Sequence, residues 1–188
     1  MSVQRAALAI TITLTLAACE DSITQPEMQQ VDGSRFAALT ASCAGAPTSR
    51  LATDGFNFLY GGPGDDKLMG KGGTDFIYSY AGNDCLIGGP GNDRLFAGAG
   101  DDVLIGGDGD DLLDSGPGTS EVLIGGDGND LIMARSGEAS RVSGGSGDDR
   151  ILVNDGAADV VDCGDGYDEV TIDALDTHTG CEVVTIIP

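Results

Sequence analysis

Aliphatic residues recur along this chain at a fixed interval of nine positions, stretched to ten at three places. They are Leu59, Leu68, Ile77, Leu86, Leu95, Leu104, Leu113, Leu123, Ile132, Val142, Ile151, Val161 and Val170. The stretches between them are rich in glycine, Asp and Asn. Read as a three-residue strand, each unit points its central aliphatic inward and its two flanking residues outward. The remaining residues of the unit form a loop. Two units then make one full turn of a flattened solenoid. Thirteen units, from Ala52 to Thr171, give six and a half turns, a rod of roughly 30 Å at the usual inter-strand spacing.

The loops repeat as strictly as the strands. Glycine holds the fourth position of every unit, from Gly55 and Gly64 through Gly100 and Gly128 to Gly166, where a tight turn needs positive φ or close backbone approach. The sixth position carries Asp66, Asp75, Asp84, Asp93, Asp102, Asp111, Asp130, Asp149, Asp159 and Asp168. One aliphatic per unit makes a thin core, and carboxylates stacked turn upon turn repel one another. A hard cation that takes six to eight oxygens would answer both problems. Without one, the chain is expected to be disordered.

Gly61-Gly62-Pro63-Gly64-Asp65-Asp66-Lys67-Leu68-Met69 shows the unit most clearly, and Gly106 to Asp114, Gly125 to Met133 and Gly144 to Leu152 restate it. This G-G-x-G-x-D-x-U-x unit, with U aliphatic, resembles the RTX, or hemolysin-type, calcium-binding nonapeptide. The resemblance implies an all-β fold: a right-handed parallel β-roll with two repeats per turn and a C-terminal cap. It also implies Ca2+ ions held between loops stacked on the same edge. Their ligands would be the sixth-position Asp carboxylates with loop carbonyls such as those of Gly62, Gly64, Gly89, Gly91, Gly107 and Gly109.

Sorting the units by edge predicts an asymmetry. The odd units carry Asp75, Asp93, Asp111, Asp130, Asp149 and Asp168 in one column, preceded by Asn57. On the even edge Asp66, Asp84 and Asp102 give way to Glu121, Ser140 and Asp159, and all three ten-residue units lie there. The expectation is about seven calcium ions, five on the odd edge and two on the even, with the even edge metal-poor past Asp102. Asp162-Cys163-Gly164-Asp165-Gly166-Tyr167-Asp168, continuing to Asp176 and Cys181-Glu182, resembles the closing segment of exported bacterial calcium-binding proteins. Val183 to Ile187 would add a final strand and cap the open end.

The first residues change the picture from a rod to an anchored rod. Arg5 precedes an apolar stretch from Ala6 to Ala18, the length of a signal-peptide core and too short to span a membrane as a helix. It ends in Leu16-Ala17-Ala18-Cys19, which resembles a bacterial lipobox with Cys19 as the lipidated residue; ordinary signal cleavage is the alternative. The expected organisation is a signal peptide over 1–18, a flexible tether over 19–42 and a β-roll domain over 43–188, with repeats at 52–171 and a cap at 172–188. Anchoring would place the protein in the cell envelope, touching the membrane through its lipid alone. Many RTX proteins instead use a C-terminal export signal and carry an enzyme or toxin domain, so activity is not transferred from them.

Cys43, Cys85, Cys163 and Cys181 remain after Cys19. Four cysteines allow three pairings. Cys43 with Cys85 and Cys163 with Cys181 are preferred, because each would tie a flank to a nearby rung in a compartment that permits disulfides. Along the outer face of the even strands, Met69, Ile87, Val103, Ile105, Val122 and Ile124 form an apolar strip. It is expected to receive the N-terminal segment with Phe36, Leu39 and Leu51, or else a partner. Phe76, Tyr78 and Phe96 on the opposite face are candidates for external contact.

Nine Lys and Arg against thirty-one Asp and Glu give a formal charge of −22, which argues against nucleic acid and anionic lipid as direct partners. No H-E-x-x-H, G-x-S-x-G or Walker A pattern is present, so zinc protease, serine hydrolase and P-loop chemistry are not expected. Asp127, Asn129 and Glu138 mimic an EF-hand loop, but Ile132 stands where that loop requires glycine. The expected function is calcium binding by a non-enzymatic structural or adhesive envelope module, whose further partner would be an envelope polymer or protein. A roll-shaped enzyme acting on polysaccharide and a simple calcium buffer are the alternatives.

Overall fold

The structure, a computed structural model, describes residues 48–188. The expected signal segment, Cys19, the tether and Cys43 lie outside them. Every regular element among the described residues is a strand, numbered here β1 to β16 in chain order. Two parallel sheets face each other. The first contains β1 (Thr48–Leu51), β3 (Asp66–Met69), β5 (Cys85–Pro90), β7 (Val103–Asp108), β9 (Val122–Asp127), β11 (Arg141–Ser146), β13 (Val160–Asp165) and β15 (Thr177–Thr179). The second contains β2 (Asn57–Tyr60), β4 (Asp75–Ala81), β6 (Arg94–Ala99), β8 (Leu112–Asp114), β10 (Leu131–Met133), β12 (Arg150–Leu152), β14 (Glu169–Ile172) and β16 (Val183–Ile186). The chain alternates between them, so even units build the first sheet and odd units the second.

Register follows the eighth position. Leu86, Leu104 and Leu123 are aligned neighbours in the first sheet, as are Ile77, Leu95 and Leu113 in the second. All six are fully buried. Strand register is kept through the ten-residue units, because the extra residue is absorbed in the loop: Leu104 pairs with Leu123 and Val142 with Val161. Leu104→Ala should cost about 2–5 kcal/mol, since its neighbours above and below are fixed by the ladder and cannot collapse into the space. Denaturant unfolding in saturating calcium measures it.

Three features depart from the expected array. The roll has eight strands per sheet, longer than six and a half turns, because β1 is recruited ahead of the first unit and β15 and β16 beyond the last. The expected closing strand is β16, paired with β14. Leu51 does not cover the apolar strip: it lies in β1 beside Met69 and is 60% exposed, extending the strip by one row. Finally, the first position of the even units is also core. Ser79, Ala97, Ser115, Ala134 and Val153 are all buried there.

Candidate metal centre

The sixth-position acids are buried along the whole length of both edges. Asp75, Asp93, Asp111, Asp130, Asp149 and Asp168 are each at most 4% exposed, and so are Asp66, Asp84, Asp102 and Asp159 on the other edge. Each column is knitted by one repeated hydrogen bond. The backbone N–H of Asp75 donates to Oδ1 of Asp93, and Asp93, Asp111, Asp130 and Asp149 each donate likewise to the next acid, all at 2.7–2.8 Å. Asn57 N–H opens the column on Asp75, and Glu182 closes it by accepting from Asp168. On the even edge Asp66, Asp84 and Asp102 donate in turn to Asp84, Asp102 and Glu121.

Each carboxylate thus spends one oxygen on the neighbouring turn. The second oxygen has no partner and no solvent at Asp75, Asp84, Asp93, Asp102, Asp111, Asp130, Asp149, Asp159 and Asp168, and at Glu121. An orphaned buried carboxylate oxygen is costly. Burial pushes Asp93, Asp102, Asp149 and Asp159 up to about 7, Asp111 and Glu121 up to about 8, and Asp130 up to about 6. Asp84 and Asp168 are raised as well, again chiefly by burial. The donated backbone N–H opposes the shift, and nearby carboxylates add to it.

What surrounds the orphaned oxygen differs between the edges. In the odd units the first position is Gly70, Gly88, Gly106, Gly125 or Gly144. A Cβ on any of these would collide both with the orphaned oxygen of its own Asp75, Asp93, Asp111, Asp130 or Asp149 and with the first-position carbonyl of the next turn. Those carbonyls belong to Gly88, Gly106, Gly125, Gly144 and Cys163. Five times over, a carboxylate oxygen and a carbonyl oxygen converge where a side chain has been left out. On the even edge Gly61 leaves the same space, beside Asp66 Oδ2 and the Ser79 carbonyl, but every later first position carries a side chain, Ser79, Ala97, Ser115, Ala134 or Val153, and the Ser79 hydroxyl donates to the Ala97 carbonyl at 2.8 Å. Among the described residues no three His, Cys, Asp or Glu side chains converge on one point. A cation here would therefore combine few carboxylates with backbone carbonyls, a donor set that suits Ca2+.

Comparison with known families decides the repeat. Residues 51–86, 60–95, 87–121 and 118–138 match the family described as the RTX calcium-binding nonapeptide repeat, in four copies. The chain carries RTX calcium-binding repeats. No curated protein matches it, and no solved structure matches it. The RTX repeats bind calcium, and the roll they form here is the all-β parallel solenoid expected of them.

Within the RTX array the glycines named from the sequence fall into two groups. Gly89, Gly91, Gly107 and Gly109 have φ between +112° and +136° and stack closely upon one another on the odd edge. Gly62 and Gly64 lie on the even edge outside that φ range. Gly62 donates its N–H to the second oxygen of Asp66 at 2.6 Å, so that carboxylate is satisfied without a cation. Glu121 is fully buried and occupies the acid column much as an Asp would, its extra methylene matching the extra loop residue. The column is interrupted at Ser140, whose Oγ accepts weakly from Glu121 N–H at 3.4 Å while also contacting Ser136 Oγ. Cys163 and Cys181 form the expected disulfide, with Cα atoms 5.2 Å apart. Cys85 is disulfide-bonded, and its expected partner Cys43 lies outside the described residues.

A second ladder escaped the sequence reading. At the fifth position, Asn92 and Asn129 accept from the N–H of Asp110 and Asp148, and Asp110 and Asp148 accept from Asn129 and Tyr167. It runs opposite in sense to the sixth-position ladder, each side chain accepting from the turn after it. The enrichment of Asn and Asp at that position was the available signal.

Proposed function

We propose that this chain is an exported, lipid-anchored rod that folds on calcium and serves as a structural or adhesive module of the cell envelope. The observation that carries the calcium part is the row of five cradles on the odd edge. Asp75, Asp93, Asp111, Asp130 and Asp149 would each supply one carboxylate oxygen, joined by the carbonyl of the first residue of the next turn. Bound there, calcium supplies positive charge to a column that otherwise stacks buried anions. The chain's own residues do the rest: the Oδ1 hydrogen bonds fix each carboxylate, and the missing Cβ keeps the space open. On the even edge the space at Gly61 faces a carboxylate already satisfied by Gly62 N–H, the later cradles are filled by side chains and the column breaks at Ser140, so that edge contributes fewer ions. Sites of this extracellular type bind in the range of about 10⁻⁴ to 10⁻³ M.

Calcium titration followed by native mass spectrometry tests the assignment. At least five ions are expected, in a cooperative transition, because metal binding and folding are one equilibrium. Asp111→Asn keeps an oxygen for Asp93 N–H and removes the charge. It should lose one ion and raise the calcium midpoint about tenfold, equivalent to about 1.4 kcal/mol. An unchanged midpoint and ion count would remove Asp111 from the ligand set.

The anchor rests on Leu16-Ala17-Ala18-Cys19. The full chain should fractionate with membranes in its native host type, and Cys19→Ala should release it into the soluble fraction. A membrane association untouched by that change would rule out a lipid at Cys19. The envelope role follows from the same anchor together with a rod whose outer faces carry little positive charge.

A further inference from the structure

The outward face of the first sheet is buried where a solenoid face should be wet. Ile105 points away from the core, yet its exposure is 0%, and Cys85, Ile87 and Ile124 around it are at 3%, 5% and 6%. Neighbours within the same sheet flank a side chain but do not roof it. The ninth-position residues of the second sheet show what flanking alone achieves: Phe96, Asp114, Met133 and Leu152 have strands on both sides and all stay partly exposed. Something lies across Ile105.

We propose that the cover is this chain's own segment 34–43, packed on the strip through Phe36 and Leu39 and locked there by a disulfide between Cys43 and Cys85. Three observations converge. Cys85 is disulfide-bonded while Cys163 and Cys181 bond each other, which leaves Cys43 and Cys19 as its partners within the chain. The described chain begins at β1, on the edge of the same sheet, two strands from Cys85. That is a distance of roughly 10 Å, and the five residues from Cys43 to Thr48 reach up to roughly 17 Å. Phe36, Leu39 and Cys43 are spaced i, i+3, i+7, which places them on one face of a helix, with Ser34 as a residue suited to cap it. So short a helix is marginal alone and gains its stability from an apolar surface beneath it. The strip supplies that surface, extended at its margins by Met69, Val103 and Val122.

The consequence is a clamp at the point where tether meets rod. It is independent of which oxygens ligate calcium, and its test reads a covalent link and amide exchange rather than ion binding. A non-reducing tryptic map of the full calcium-loaded chain should show residues 36–50 joined to residues 72–94. Hydrogen exchange should show protected amides over 36–43. Ile105→Asp should speed that exchange at least about tenfold while the β-sheet amides of the roll stay protected; should Ile105→Asp fail to fold, Phe36→Ser, which lies outside the roll, gives the same readout. A link from Cys85 to Cys19, a link to an isotope-labelled second copy, or amides over 36–43 exchanging as in a free peptide would each overturn the proposal.

Discussion

In excess chelator at pH 8 the domain loses its sheet signal in circular dichroism, and it regains it either on adding calcium or, with no metal at all, on acidification to about pH 4. The second half of that result follows from the direction of the pKa shifts. The acid columns have carboxyls held above the ordinary Asp value of 3.8, reaching about 6 at Asp130, about 7 at Asp93 and Asp149 and about 8 at Asp111. Between those limits the folded chain binds more protons than the unfolded one. Metal-free stability is therefore greatest below about pH 4 and falls as pH rises through about 8. Asp130 alone, raised from 3.8 to about 6, costs about 3 kcal/mol when ionised without a counter-charge. Several such residues exceed the 5–15 kcal/mol that keeps a typical domain folded. Calcium inverts the dependence, because it binds the deprotonated form. A chelated chain whose spectrum at pH 8 equals that of the calcium form would sink this account of the columns.

Alanine at Gly109 unfolds or severely weakens the calcium-loaded roll, whereas alanine at Gly137 leaves it intact or slightly stabilised. Both glycines hold the fourth position of their units, so the motif alone treats them alike. Gly109 has φ +123°, and its Cβ would lie 2.7 Å from the carbonyl carbon of Gly91 and 2.9 Å from Asn92 Oδ1. Left-handed strain of about 1–3 kcal/mol then adds to a clash with backbone that the ladder prevents from moving. Gly137 has nothing within 4 Å of its Cβ position, and a glycine in an ordinary conformation gains about 0.4–1 kcal/mol on becoming alanine. Thermal melts in saturating calcium separate the two. Equal shifts would mean that the loops relax far more than their stacking indicates.

The periodic part of the molecule was legible because one unit is one loop and one strand, so the inward side chain must recur with the unit. Leu59 to Val170 all fell where the period put them. The columns were legible for the same reason, down to the edge to which each Asp belongs. Other features followed from contacts rather than period. β1 has no motif, and its backbone ladder to β3 brings it into the sheet. Glu121 departs from the motif in chemistry, yet the longer side chain and the longer loop compensate each other. Turn geometry accounts for the fourth-position glycines and assigns no task to those at the first position. Their value lies instead in an absent Cβ, which becomes meaningful only once the orphaned oxygen and the next turn's carbonyl are seen beside it. The cradles left open on the odd edge and filled by Ala97, Ala134 and Val153 on the even edge were thus in the sequence all along, without the geometry that gives them sense.

Because consecutive units alternate between sheets, the roll obeys a parity rule. Adding or removing two units changes its length by one turn and leaves every later loop on its own edge. Adding one unit after Asp114 would send all that follows to the opposite edge. Asp130 and Asp149 would stack above Asp102, with the bulky first residues above the open cradles. Lengthening by whole turns is tolerated by such a structure; lengthening by a single repeat is a frameshift in space.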